Sequence, residues 1–194
     1  MKTLNLYKYA DNNPIRPIMA GVCHRNGYKV VSNGLILAAL KADYAPELED
    51  KVIAKDGTEI IVTEQGLSHR FPNFRNLIPK DRPFGSVDAK IDFAKLNEIK
   101  KQANECKRLA IEAGIRGAYY YIKIGEATFR LDLFLKIADA MKAIGTDTIC
   151  TDRTRAAYCI TDTGFALIMP VCYPTEDTPT GNGGYYAKTF TLAA

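Results

Sequence analysis

The stretch "HRFPNFRNLIPKDRP", residues 69–83, divides the sequence into two parts of different character. It contains three prolines, two phenylalanines and four Lys or Arg residues. Proline fixes φ and removes a backbone donor, so the stretch suits neither a helix interior nor a central strand. It is also too apolar for an ordinary loop. We predict that it connects a first part, residues 1–84, to a second part, residues 85–171, which a tail follows at residues 172–194.

The first part is rich in strand signals, beginning with the alternating segment "TLNLYKY". Two Asn-Gly pairs, at 26–27 and 33–34, separate apolar runs, and Asn-Gly supplies the positive φ of tight hairpin turns at little cost. Another hairpin is predicted through Asp56-Gly57. The predicted strands of this part cover residues 3–9, 17–24, 28–32 and 35–41.

The second part adds two helices to short, turn-linked strands. Asp92 is a plausible N-cap for a helix that ends at Gly114, and a second helix, beginning at residue 131, closes at Gly145. Such strands favour antiparallel sheets with helices packed on one face, which is an α+β fold. Most of the tail is predicted to be loop, with "YYAKTFTL" (185–192) able to pair as an edge strand. The other predicted strands are 86–92, 118–124, 127–131, 146–152, 156–162 and 164–171.

Composition describes an ordinary globular protein. Hydrophobic residues make up 47% of the 194 residues, charged residues make up 25%, and the net charge is +4. We expect no membrane span, no signal peptide and a cytoplasmic location, because no apolar run is long enough for either segment. The five cysteines form no CxxC pair, so reduced thiols are expected. With only two histidines, no metal site and no cofactor is predicted.

The sequence contains no credible active site. His24 and His69 have no neighbouring Ser, Cys or Asp in a triad-like arrangement. The tripeptide Asp-Thr-Gly at 162–164 occurs once, whereas aspartic proteases need two such carboxylates, so a hairpin turn is predicted there. "GNGG" (181–184) lacks the Lys and Ser/Thr of a phosphate loop. An enzyme whose site assembles from scattered polar residues is left as an open alternative.

Three segments together resemble one known family. "RFPNFRNLIP" (70–79) is similar to the motif that closes the middle domain of bacterial sliding clamps, the DNA polymerase III beta subunits. "GYKVVSNGLILAAL" (27–40) resembles the strand–turn–strand that precedes it, although Leu35 and Ile36 replace the basic and aromatic turn residues of clamps. The region 129–171, which ends in "GFALIMPV", resembles the last clamp module. The chain is far shorter than a three-domain clamp.

The resemblance implies a DNA-clamp-like fold with two clamp-like halves and a function without bond chemistry. Clamps encircle duplex DNA and capture short peptides of polymerases and clamp loaders. This chain would then be a DNA replication accessory (processivity) protein whose partners are double-stranded DNA and DNA polymerase or clamp-loader peptides. A ring would need a homotrimer, because clamp rings use six domain equivalents. The alternative is a clamp-fold peptide-binding or regulatory module that does not encircle DNA.

The resemblance also implies a peptide-binding pocket with three walls. One wall comes from the turn before the third predicted strand, one from the segment after Phe71, and one from the end of the last strand of the second part. Phe71, Phe74 and Ile78 are expected to seal the junction between the two parts. The implied pocket residues are Gly34, Leu35, Ile36, Leu37, Pro72, Asn76, Leu77, Met169, Pro170 and Val171.

The helix 93–111 offers a candidate DNA-binding surface. At about 100° per residue, its basic residues gather on one side of the apolar arc, and Glu98, Glu105 and Glu112 gather on the other. A basic stripe can follow phosphates without reading bases. The competing interpretation is a solvated helix with ion pairs between neighbouring turns. The predicted DNA-binding residues are Lys100, Lys101, Lys107 and Arg108.

Overall fold

The computed structural model describes residues 4–11, 13, 15–43, 45–62, 71–79, 81–83, 85–115, 117–171 and 185–192, and only the backbone of Tyr185 and Tyr186. His69 and the predicted loop of the tail therefore lie outside the described residues. The described strands are β1 Gly21–Arg25, β2 Tyr28–Ser32, β3 Ile36–Lys41, β4 Lys51–Ala54, β5 Glu59–Ile61, β6 Val87–Lys90, β7 Gly117–Ile124, β8 Ala127–Arg130, β9 Thr148–Thr151, β10 Ala157–Thr161, β11 Gly164–Ile168 and β12 Tyr185–Leu192.

The two predicted helices are confirmed, as α1 Phe93–Glu112 and α2 Leu131–Ala143. Asp92 caps α1, because its Oδ1 accepts hydrogen bonds from the backbone N–H of Ala94 at 2.9 Å and of Lys95 at 3.1 Å. Gly114 and Gly145 follow the helices with φ of +72° and +77°. This left-handed conformation favours glycine, which explains why the helices stop there.

Strands of both parts form a single large sheet, which contains nine of the strands in the described chain. Its order is β5-β4-β1-β2-β3-β11-β10-β9-β6. The two parts meet where β3 pairs antiparallel with β11, with Ile36 opposite Ile168 and Leu40 opposite Gly164. A side chain at Gly164 would collide with the carbonyl oxygen of Ala39, 2.5 Å from an ideal Cβ. The glycine of the Asp-Thr-Gly turn therefore permits close packing of these strands.

The three remaining described strands form a small sheet in the order β12-β7-β8. The prediction of an edge strand at 185–192 is confirmed. It pairs parallel with β7, however, with Tyr185 opposite Gly117 and Leu192 opposite Ile124. Parallel pairing of β7 with β12 needs a crossover connection, and the intervening chain, which includes α2 and β9 to β11, provides one. All other strand pairs described are antiparallel, as predicted.

Two hydrophobic clusters lie on opposite faces of the large sheet. The first cluster joins both helices, the small sheet and alternate residues of β3, such as Ile36 and Ala38. The second cluster contains Leu37 and Ala39, which alternate with those residues along β3, and Phe74. The helices thus pack on one face of the large sheet, as predicted, and side chains alternate between the two clusters along each strand.

The predicted strand at residues 3–9 is wrong. Residues Leu6–Tyr9 form a 3₁₀ helix, in which Leu6 and Tyr9, three positions apart, are both buried. Tyr9 donates a hydrogen bond from its hydroxyl to the backbone carbonyl of Lys136 at 2.6 Å. The alternation of apolar residues in this segment is therefore overridden by a long-range contact with α2.

Candidate functional site

The turn before β3 and the end of β11 are in direct contact. The backbone N–H of Met169 donates to the carbonyl of Leu35 at 2.9 Å, which continues the ladder between the two strands. The side chains of Leu35 and Met169 are 45% and 43% exposed. Two large apolar side chains therefore reach the surface where the two parts of the chain meet.

The segment after Phe71 packs on the face of the large sheet that carries the second cluster. Phe71 and Phe74 are buried in that cluster with Leu37 and with Phe165 and Leu167 of β11. Leu37 belongs to β3, so Phe71 and Phe74 pack beside the paired strands β3 and β11, and Ile78 packs against the same cluster.

From this anchored segment Leu77, on the 3₁₀ turn Phe74–Leu77, points outward and is 44% exposed. Asn76 beside it is exposed, and Pro72 is half-buried. Leu35 and Met169 are thus neighbouring exposed apolar residues, and Leu77 is a third exposed apolar residue on the segment that packs on the same face of the large sheet. We call these three side chains the apolar notch.

Three residues of the predicted pocket offer no such surface. Ile36 and Leu37 are each 1% exposed, and they lie in different clusters on opposite faces of the sheet. Pro170 is buried as well. These three residues therefore add no exposed surface to the predicted pocket, and strand alternation sends the consecutive side chains Ile36 and Leu37 of β3 into opposite cores.

Val171 lies apart from the end of β11. Its backbone N–H donates to Thr128 of β8 at 2.7 Å, so the chain has already reached the small sheet at this point. Val171 is half-buried there. The last residues of the predicted third wall therefore turn away from the large sheet.

Arg16, which the sequence pattern did not single out, lies beside Gly34. One guanidinium nitrogen of Arg16 is 3.0 Å from an ideal Cβ on Gly34, and Gly34 is exposed with φ +86°. Arg16 is held by Asp11, at 2.7 Å between Nη2 and Oδ2. No local pattern signals this contact, because residues 16 and 34 are brought together only by the packing of β1 to β3.

The four basic residues predicted to bind DNA are exposed on α1, but they fall into different environments. Arg108 forms ion pairs with Glu105 and with Glu112, the latter at 2.6 Å. The hydrogen bonds that Arg108 donates to the Glu105 carboxylate are the main cause that raises the pKa of Arg108. The predicted separation of basic and acidic stripes is therefore wrong at Arg108. Lys100 and Lys107 line a cleft between α1 and β7.

Two buried thiols and the placement of potential metal ligands bear on possible chemistry within the described residues. Burial raises the pKa of the Cys23 and Cys159 thiols to about 12, so both are protonated at neutral pH and neither is a nucleophile. No cluster of three or more His, Cys, Asp or Glu residues suited to a metal occurs within the described ranges. Neither described helix combines the length and apolar character needed to cross a bilayer.

Solved structures similar to this chain are bacterial sliding clamps. The sliding clamp (DNA polymerase III subunit beta) of Bartonella birtlesii bound to griselimycin matches with a TM-score of 0.52 and 12% identity, over 85% of this chain and 61% of that chain. The beta subunit of Borrelia burgdorferi in complex with a natural product has a TM-score of 0.50 and 11% identity, over 86% and 60% of the two chains. The beta chain of Streptococcus pneumoniae has a TM-score of 0.50 and 14% identity, over 85% and 60%.

The sequence itself matches no protein family and no curated protein. The chain also spans only 60–61% of the length of these clamps. At 11–14% identity, what they share with this chain is the fold. The chain therefore has a DNA-clamp-like α+β fold.

Proposed function

We propose that this protein is a sliding-clamp-like DNA replication accessory protein that binds DNA non-specifically and captures partner peptides in the apolar notch. The observation that carries the proposal is the meeting of Leu35 and Met169, both half-exposed, at the junction of β3 with β11 in a clamp-like fold. An exposed apolar group between packed elements suits short-motif capture, because Met and Leu adapt to different side chains.

The notch is apolar at its surface and rests on buried side chains of the second cluster. Leu37 lies under it in the second cluster, and Phe74 fixes the segment that carries Leu77. A preorganised surface loses little entropy when a peptide binds, so a few apolar anchors can supply most of the affinity. Arg16, near Gly34, is paired with Asp11 and therefore adds little net charge beside the apolar residues.

Overlapping peptides from the replicative polymerase and the clamp loader of the same organism test peptide capture, with fluorescence anisotropy as the readout. Leu35→Ser, Leu77→Ser and Met169→Ser should each weaken a binding peptide by about tenfold or more, because each removes a buried apolar contact. Ile61→Ser is the matched control, since Ile61 is 65% exposed on β5 at the far edge of the large sheet. Equal losses in the control would refute the notch.

DNA binding is assigned to Lys100, Lys101 and Lys107, with Arg108 contributing less because Glu105 and Glu112 already neutralise it. A ring built from this chain would be a homotrimer. Light scattering at micromolar concentration checks the oligomer, and retention on nicked circular DNA with release after linearisation checks encirclement. A monomer that retains no circular DNA would exclude the ring.

The second candidate is a clamp-fold peptide-binding or regulatory module that does not encircle DNA. The ion pairs of Arg108 favour it, because they reduce the positive charge that α1 offers to phosphates. The triple variant Lys100→Glu, Lys101→Glu, Lys107→Glu separates the candidates. It should abolish DNA retention by a clamp-like protein and leave peptide affinity unchanged in a pure peptide binder.

A further inference from the structure

A cleft of about 340 Å³ opens between α1, the beginning of β7 and the junction of β8 with α2. This volume lies at the lower end of the range typical of small-ligand sites. Its lining combines cationic and aromatic side chains, and we call it the tyrosine cleft. The residues that define it are Lys100, Asn104, Lys107, Tyr119, Tyr121 and Arg130.

The cleft carries positive charge that the surrounding protein does not neutralise. Its one acidic lining residue, Asp132, is occupied by Arg130, whose Nε and Nη2 donate to the two carboxylate oxygens at 3.1 and 2.8 Å. Lys100 and Lys107 have no acidic partner at ion-pair distance within the described part of the chain. Two ammonium groups therefore remain available to an anionic ligand.

The spacing of these groups suits a ligand that has both a phosphate and a ring. Lys100 and Lys107 are seven residues apart on one side of α1, which separates their Cα atoms by about 10.5 Å along the helix axis. Tyr119 and Tyr121 of β7 also line the cleft, and Tyr119 is 50% exposed. A positive groove beside exposed aromatic rings is the combination by which proteins hold unpaired nucleotides.

We propose that the tyrosine cleft binds a nucleotide unit of a single strand, with the base against the tyrosines and the phosphate at Lys100 and Lys107. A duplex cannot fill the cleft in this way, because its bases are stacked and paired inside the helix. The inference goes beyond the proposed function, since an encircling ring needs no unpaired base. It shares Lys100 and Lys107 with that function and does not depend on ring closure.

Fluorescence anisotropy of the full-length protein tests the proposal, with a labelled oligothymidylate of about ten nucleotides and a blunt duplex as probes. Tyr119→Thr removes the ring and keeps a strand-forming residue, so single-strand affinity should fall about tenfold while duplex affinity stays within a factor of about two. Tyr119→Phe keeps the ring and should retain single-strand binding. Unchanged single-strand affinity in Tyr119→Thr would overturn the proposal.

Lys100→Glu/Lys107→Glu provides an independent variant at exposed helix positions, where folding is not at risk. It should weaken single-strand binding more than Lys41→Glu/Lys55→Glu, which makes the same charge change at exposed positions on β3 and in the β4–β5 turn. Equal effects of the two double variants would overturn the site. Displacement of the probe by deoxythymidine monophosphate, but not by inorganic phosphate, would support a free nucleotide as an occupant.

The two proposals fail in different ways. If the protein does not retain circular DNA but Tyr119→Thr still lowers single-strand affinity, the ring is excluded and the proposal for the cleft stands. If the protein is retained on circular DNA and Tyr119→Thr does not change single-strand affinity, the proposal for the cleft is excluded and the ring stands. A wild-type protein that binds no oligothymidylate saturably would also remove the cleft.

Discussion

The two parts of the chain cover their strands in different ways. The second part, from β6 to β11, contains both α-helices. The described residues of the first part contain five strands and only short 3₁₀ segments, of which Phe74–Leu77 is one. Strands with apolar residues on both faces need cover on both sides, and short 3₁₀ segments supply too little apolar surface to cover one face alone.

The first part therefore shares cover with the second. On one face, Val31 and Ile36 pack in the first cluster with Phe134 and Met141 of α2. On the other face, Phe74 and residues of β11 complete the second cluster. A strand-rich segment without α-helices can therefore be covered on both faces when one continuous sheet places it beneath a helix from another part of the chain. The division at residue 84 stays a prediction about domains.

The largest loss of stability should come from removing a buried side chain of α2 that packs against strands of both parts. Phe134 is fully buried and stacks on Phe129 at 5.7 Å between ring centroids. Phe134→Ala should lower the free energy of unfolding by about 4 kcal/mol, because it leaves a cavity that both parts line. Urea unfolding followed by circular dichroism should show one transition. Leu109→Ala, at a half-exposed position of α1, is the control and should change stability by less than about 0.5 kcal/mol.

An intermediate in which β1 to β3 keep hydrogen-exchange protection after α2 has melted would break the comparison. It would show that the first part is stable without the cover of the second.

A smaller loss is expected on the opposite face. Phe74 is buried and contacts Tyr28 edge-on, at 5.5 Å between centroids. Phe74→Ala should cost about 3 kcal/mol, because the second cluster loses its central ring. Differential scanning calorimetry checks the change, with exposed Asn76→Ala as the neighbouring control. A loss confined to protection in β4 and β5, with β11 unaffected, would show that this cluster does not couple the two parts.

A third effect, smaller again, is confined to α1 and the small sheet. Asp92→Ala removes the N-cap of α1 and should cost about 1 kcal/mol, whereas Asp92→Asn keeps an acceptor and should cost a few tenths. α1 packs against β7 and β12 of the small sheet, so protection should fall there first. Thermal unfolding of the two variants measures the difference. A larger cost for Asn than for Ala would contradict the capping role.

The smallest effect concerns pH and the first part alone. Burial, and secondarily the ammonium of Lys29, lower the pKa of His24 below its ordinary value of 6.5. The unfolded chain therefore binds a proton at His24 before the folded chain does, so this contribution to stability is complete above pH 6.5 and declines as pH falls below it. Between pH 7.5 and pH 5.5, the Tm of His24→Gln should fall less than the Tm of the wild type. A steeper loss in the variant would show that His24 gains a proton on folding.

Local signals in the sequence predicted most elements. Asp92 and Gly114 marked the two ends of α1, and the Asn-Gly pair at 26–27 marked the hairpin of β1 and β2, because caps and turns are decided by neighbouring residues. The same local signals failed at residues 3–9, where Tyr9 reaches α2. The sequence could not predict that Leu35 is exposed and Ile36 buried. A strand that is buried on both faces is a continuous apolar run, so its pattern does not show which residues reach the surface.

The candidate sites depended more heavily on contacts between distant residues. The ion pairs of Arg108 lie within two helical turns, yet the stripe pattern placed Arg108 and its partners on opposite sides. The tyrosine cleft joins α1 to β7 and the start of α2, which only packing brings together.

By itself, the sequence determined the two helices, most strands, the connecting segment around Phe74 and the absence of a recognisable catalytic motif, because these follow from propensity, capping and turn chemistry over a few residues. Only the tertiary structure decided that β3 pairs with β11, that β12 runs parallel to β7, and that α2 covers the first part. Strand pairing and helix docking depend on the apolar area buried between segments far apart in the chain, and no local pattern encodes which of several apolar faces will meet.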